Sequence, residues 1–209
     1  MSMFRSLILA PVAALAAAAA LALPALAAPI PLAELSRYLN GIDTLQAAFT
    51  QINPDGTIAT GTIRIDRPGR VRFEYAPPDK TLVLSDGQQV AIFDPKSNQP
   101  PEQYPLRRTP LNLILGSNVD LGAAKMVVGH REEGPATHVI AQDPEHPEYG
   151  TIEMVFTPAP VELRQWIITD DAGGRTTLVL GEGRRGGGID RNLFNIAREM
   201  ELRGMTAGR

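Results

Sequence analysis

Apolar residues Leu32, Leu35, Tyr38, Leu39 and Ile42 form one stripe at helical spacing, which predicts a short amphipathic helix over Pro31–Leu39. Asn40-Gly41 supplies the stop, with Gly41 expected as a left-handed cap. The period then changes to two. Leu45, Ala47, Phe49 and Gln51 alternate with Thr44, Gln46, Ala48 and Thr50, the pattern of a half-buried strand. Asn53-Pro54-Asp55-Gly56 is a turn. Strands over Thr57–Asp66 and Arg70–Tyr75 follow, joined by Arg67-Pro68-Gly69. In the second, Val71, Phe73 and Tyr75 oppose Arg70, Arg72 and Glu74. The Asp86-Gly87 step between Thr81–Ser85 and Val90–Phe93 signals a hairpin.

Asp94 to Pro105 is polar and proline-rich, a loop with a short edge strand at Gln103–Arg107. Thr109-Pro110 reads as an N-cap with proline at the first helical position. The helix that follows, ending at Gly116, carries Leu111, Leu113, Ile114 and Leu115, too many large aliphatics for one core-facing stripe. Strands resume over Lys125–Glu132, Thr137–Gln142, Thr151–Thr157, Val161–Thr169 and Arg175–Gly181, with a turn at Asp171-Ala172-Gly173-Gly174. Gly183–Gly188 is expected as a flexible basic loop, and Asp190–Ile196 as a turn and final short strand. About ten strands with two short helices exclude a parallel α/β sheet and favour one strongly curved antiparallel sheet.

Composition changes this picture mainly at the amino terminus. Residues 1–28 hold 23 of about 92 hydrophobic positions in the 209-residue chain. An Ala- and Leu-rich run after Arg5 ends in Ala25-Leu26-Ala27-Ala28, the pattern of a cleaved export signal over 1–27. The remainder, 28–209, reads as one domain that is about 38% hydrophobic with a net charge of −4, Arg5 being the only charge lost. That balance excludes a basic nucleic-acid module. The chain has no cysteine, so an exported form has no disulfide and no site for an amino-terminal lipid, and is stabilised by packing.

Candidate chemistry is sparse. Gly181-Glu182-Gly183-Arg184-Arg185-Gly186 matches G-x-G-x-x-G, but only 23 residues follow and no second β-α unit precedes it, which argues against a dinucleotide fold. His130, His138 and His146, the only histidines, are eight residues apart, unlike the close ligand pairs of metal sites. Ser36, Ser85, Ser97 and Ser117 lie in helix, turn or cap contexts without a G-x-S-x-G elbow. No catalytic residue, metal or cofactor is expected. A curved sheet covered by apolar helices has either a filled core or, under a loose cover, a cavity for apolar ligands; the pattern leaves both open.

The order of segments resembles the periplasmic outer-membrane lipoprotein carrier family, LolA. The resemblance rests on Leu45-x-Ala47-x-Phe49-Thr50-Gln51, Gly61, Arg67-Pro68-Gly69-Arg70-Val71-Arg72-Phe73, Pro78-Asp79, Leu82-Val83-Leu84-Ser85-Asp86-Gly87, Phe93-Asp94-Pro95 and Thr109-Pro110-Leu111 with Leu113-Ile114. It is strong across 45–115, drifts after 120, and returns weakly at Leu163–Gly173 and Phe194. It implies a mainly β fold, an unclosed antiparallel β-barrel of about eleven strands covered by short lid helices. It further implies a monomeric, non-enzymatic periplasmic chaperone that carries lipoprotein acyl chains from an inner-membrane releasing transporter to an outer-membrane receptor. Carriage of other amphiphilic lipids, or a lipid-sensing envelope-stress module, are the alternatives. Arg67 matches the family arginine that holds the lid closed; without the resemblance it reads as a turn arginine before proline. Phe49, Val71, Phe73, Leu82, Leu84 and Ile92 are the expected cavity liners, and Leu111, Ile114 and Leu115 the expected lid contacts.

Overall fold

A computed structural model describes residues 28–97, 99–122 and 125–205; the proposed export signal at 1–27 lies outside them. The strands are β1 (Thr44–Ile52), β2 (Ile58–Asp66), β3 (Arg70–Tyr75), β4 (Leu82–Asp86), β5 (Gln89–Phe93), β6 (Glu102–Pro105), β7 (Val127–Glu133), β8 (Ala136–Gln142), β9 (Thr151–Pro158), β10 (Val161–Thr169) and β11 (Arg175–Arg185). They form one antiparallel sheet of 11 strands in the order β6-β5-β4-β3-β2-β1-β11-β10-β9-β8-β7. Two meanders are thus joined where β1 pairs with β11, and the edge strands β6 and β7 are not paired to each other. The expected unclosed antiparallel barrel is present.

The chain crosses from edge β6 to edge β7 through residues 106–126, which carry a 3₁₀ turn (Leu106–Arg108) and helix α2 (Asn112–Leu115). Helix α1 (Leu32–Asn40) lies on the same side. We call this the inner face. Leu106, Leu111, Ile114, Leu115, Val119 and Leu121 of the crossover are all buried in a single cluster with α1 and the sheet. All four aliphatics of the apolar helix find partners there, Leu113 being only partly buried. Thr109 does not cap α2; its hydroxyl donates back to the Leu106 carbonyl at 2.8 Å. Gly41 ends α1 in the right-handed region, at φ −79°, not as a left-handed cap.

Aromatic packing stiffens the middle of the inner face. The Phe49 ring meets Phe73 and Tyr75 edge-on at 5.7 and 5.1 Å, and Phe73 meets Trp166 at 6.2 Å. Room for the Phe49 ring comes from Gly61 on the neighbouring strand, where a Cβ would lie 2.7 Å from the ring and 2.2 Å from the Glu74 carbonyl oxygen.

The carboxyl-terminal segment corrects two expectations. The expected final short strand is instead a 3₁₀ turn (Arg191–Phe194) followed by helix α3 (Ile196–Leu202), with Asn195 Oδ1 accepting the Arg198 amide at 2.9 Å as an N-cap. This segment packs on the outer face. Leu82 and Leu84, expected in the cavity, point there and are buried with Ala91, Phe93, Phe194 and Ile196. Their neighbour Val83, paired with Phe73, is the residue of β4 that packs on the inner face. The apolar run Leu82-Val83-Leu84 is buried on both sides, so hydrophobicity alone does not assign its face. The loop expected at Gly183–Gly188 is also shorter, since β11 continues to Arg185.

Arg72 fastens α3 to the sheet: its guanidinium donates to the Leu193 carbonyl (2.9 Å), Glu199 (3.0 Å) and Glu74 (3.0 Å). Burial raises the Glu199 pKa, but hydrogen bonds from Arg203 and Arg72, and their charges, outweigh it and hold the carboxyl below its usual range. A carboxylate with a depressed folded-state pKa contributes stability above its unfolded pKa, near 4.3, and loses it as pH falls through the folded value. Glu199→Gln is therefore expected to lower the melting temperature at neutral pH. The difference from wild type should vanish as thermal melts are taken to progressively lower pH below about 4.

Candidate functional site

The turn Arg67-Pro68-Gly69 between β2 and β3 is where both inner-face helices end. Helix C-termini leave carbonyls without intrahelical partners and carry partial negative charge. Arg67 Nη1 donates to the Leu39 carbonyl at the end of α1, and Nη2 to the Gly116 carbonyl just past α2. Nη2 also lies 3.3 Å from Asn40 Oδ1, and the Gly69 amide donates to the Leu115 carbonyl at 2.8 Å. Gly69 is required here: it has φ +77°, and a Cβ would sit 2.7 Å from Gly87 Cα. Burial lowers the Arg67 pKa from its ordinary value, opposed by the negative charge of Asp43, and the guanidinium stays charged.

Polar side chains of α1 bind the crossover directly. Asn40 forms a two-way pair with Val119, Nδ2 donating to the carbonyl at 2.8 Å and Oδ1 accepting the amide at 2.9 Å. Ser36 Oγ accepts the Leu121 amide at 3.0 Å. Ahead of α1, the Ile30 amide donates to Thr137 Oγ1 at 3.0 Å, and its carbonyl lies 3.0 Å from His130 Nε2. Helix α1 is thus held near β7 and β8 at one end and at the Arg67 turn at the other.

Between α1, the end of α2 and strands β1, β10 and β11 lies a cavity of about 50 Å³, room for about three to five water-sized spheres. Leu45, Ala47, Ile65, Trp166, Leu180 and Leu115 are among its apolar lining residues, and Arg67, Glu162, Arg164 and Arg185 supply charge. A second, more open depression of about 770 Å³ is shared by residues of β1, β2, β3 and β11, including Phe49 and Tyr75. The Tyr75 hydroxyl is pushed up to about 12 by burial and by Asp79, against the hydrogen bond to Gln51.

Of the residues singled out from the sequence, Arg67, Ile114 and Leu115 line the small cavity. Leu111, Val71 and Phe73 belong to the inner cluster without reaching it, and Phe49 borders the open depression. Ile92 pairs with Val83 on the inner face and is half-buried. Leu82 and Leu84 are on the other face. Sequence reasoning missed Tyr38, Leu45, Ile65, Leu163, Trp166 and Leu180. The alternation of Leu178 and Leu180 was a usable signal; the pairing of β1 with β11, which brings them to Phe49, was not. The histidines are dispersed: His138 Nδ1 lies 2.8 Å from Glu153 and His146 Nδ1 3.0 Å from Glu148. Among the described residues no three His, Cys, Asp or Glu side chains are grouped as metal ligands.

An open antiparallel sheet with an apolar cavity under two tethered helices defines the class as an open-barrel protein with a helix-covered cavity. Residues 40–197 match the model of the family described as outer membrane lipoprotein carrier protein LolA, and the chain belongs to that family. An outer-membrane lipoprotein carrier protein of Chromobacterium violaceum is 28% identical over 191 residues, covering 88% of this chain and 90% of the relative. One of Methylibium petroleiphilum is 37% identical over 94 residues, or 41% of this chain; that match spans about half the relative's length, 46%. A crystal structure of a LolA superfamily protein from Nitrosomonas europaea superposes with a TM-score of 0.42 at 7% identity, covering 79% of this chain and 98% of that one.

Because Asn40 joins α1, the crossover and Arg67, truncating it leaves the Val119 amide and carbonyl without partners. Asn40→Ala is expected to cost about 1–3 kcal/mol. Hydrogen exchange should show the Val119 and Leu121 amides losing protection while the β3 and β9 amides keep theirs.

Proposed function

We propose that this chain is a periplasmic carrier that receives lipoprotein acyl chains between its inner sheet face and the two helices and delivers them to the outer membrane. Membership of the lipoprotein-carrier family over 40–197 carries this reading, and the geometry supplies a mechanism. The cavity, about 50 Å³, is too small for a long acyl chain, so loading displaces the crossover. Arg67 is the latch: its guanidinium releases the Leu39 and Gly116 carbonyls as α2 lifts, and regains them on closing. Phe49, Val71, Phe73 and Ile92 then line the enlarged space with the residues of the small cavity, while Leu111, Ile114 and Leu115 form the displaced contact.

The magnitudes are compatible with reversible loading. Unburying three large aliphatics costs about 4.5–9 kcal/mol. At about 0.8 kcal/mol per buried methylene, some six to eleven methylenes offset it, so one long chain balances the exposure of Leu111, Ile114 and Leu115. Binding energy alone drives the exchange, with no bond made or broken by the carrier. An inner-membrane releasing transporter would load the cargo and an outer-membrane receptor would accept it, the carrier acting as a monomer. The absence of cysteine from the sequence leaves the carrier without a lipid attachment site of its own.

Arg67→Leu keeps the turn's bulk and removes five donors. We expect this variant to retain bound lipoprotein and to lose at least tenfold in transfer to acceptor membranes, measured with purified, cargo-loaded protein. Transfer at the wild-type rate would refute the latch. Mass spectrometry of material co-purifying from the periplasm should find triacylated lipoprotein; free lipid alone would point to a carrier of other amphiphiles.

A further inference from the structure

The glycine- and arginine-rich end of β11, which matched a nucleotide motif in sequence, forms the entrance of the small cavity. Gly181, Gly183 and Arg185 line it. A Cβ on Gly183 would lie 2.7 Å from Leu45 Cδ1, so glycine thins the wall there. Two register shifts border the same entrance, one on β11 between Leu180 and Gly183, opposite Phe49 and Ala47 of β1, and one on β10 between Leu163 and Gln165; the second carries Arg164. Such bulges re-aim side chains at barrel rims and binding sites.

Arg185 pairs with Leu45 in the ladder and so occupies an inner-face position, where alternation calls for an apolar residue. Its guanidinium lies over the Tyr38 ring at 4.4 Å and donates to the Tyr38 hydroxyl at 2.6 Å, while that hydroxyl also accepts the Leu163 amide at 2.8 Å. Arg185 is exposed, has no ion-pair partner among the described residues, and uses one of its five N–H donors. Arg164 alongside is paired with Glu162 at 3.2 Å. The cavity lining thus holds three arginines and one carboxylate, an excess of two positive charges in a chain whose net charge is −3. A stacked, pre-oriented guanidinium at the rim of an apolar cavity suits a phosphate or carboxylate oxygen pair.

We propose that this entrance is a headgroup site, in which an amphiphile with a singly anionic polar group, phosphodiester or carboxylate, places that group on Arg185 and its acyl chain in the cavity as enlarged by loading. The proposal rests on the cavity being an acyl-chain site and adds a preference for charge at the chain's polar end. Tyr38 positions the guanidinium, and Arg164 adds field at the rim.

Binding by the purified chain lacking 1–27 is to be measured by calorimetry for three probes of equal chain length: a lysophosphatidylglycerol, a fatty acid and a neutral monoacylglycerol. Wild type should bind one or both anionic probes at least tenfold more tightly than the neutral one, and their ratio separates phosphodiester from carboxylate. Arg185→Gln should bring the anionic probes to within about twofold of the neutral one, and Arg185→Lys should keep most of the preference. Equal binding of all three probes by wild type, or a preference that survives Arg185→Gln, overturns the headgroup site and leaves the carrier reading intact. Failure of every probe to bind overturns the headgroup site, while the carrier reading stands or falls separately on lipoprotein transfer.

Discussion

An antiparallel sheet whose edge strands do not meet has an apolar face that no second sheet covers, and the rest of this molecule follows from how that face is closed. The cover is made from the connection itself: to pass from edge β6 to edge β7, the chain must cross the inner face, and it does so with aliphatic side chains pointing down. Its short helix cannot be stable alone, and neither can α1. What fixes their ends is a single turn on the sheet, where Arg67 and the Gly69 amide collect carbonyls that the helices leave unpaired. The interaction is polar and local, while the burial beneath it is apolar and extensive.

That division of labour explains which parts were legible in the sequence. The β3 alternation, the Asp-Gly and Asn-Pro-Asp-Gly turns and the apolar helix after Pro110 each carry a local signal, and each was read correctly as an element. The Leu82-Val83-Leu84 run carries none for its facing, because it is covered on one side by the crossover's cluster and on the other by Phe194 and Ile196. The expectation of a turn and final short strand over Asp190–Ile196 and the inward placing of Leu82 and Leu84 share one cause: without the carboxyl-terminal helix, the outer face offers nothing for those leucines to bury against.

The site was less legible than the fold for a related reason. Arg67 stands in a distinctive tripeptide, but Tyr38, Trp166 and Arg185 come together only through the pairing of β1 with β11 across more than a hundred residues of chain. An arginine on an apolar face looks, in one dimension, like part of a basic loop. Only the register shows that it faces the helices.

The two-ended crossover has a consequence for kinetics. A cover attached at both edges remains confined near the face it leaves, so its return is an intramolecular event at an effective local concentration set by its own length. In a carrier working this way, re-closure is first order and does not depend on how much protein is present. An incoming acyl chain competes against that fixed return rate, and shortening or lengthening residues 106–126 resets the competition without touching a single cavity residue.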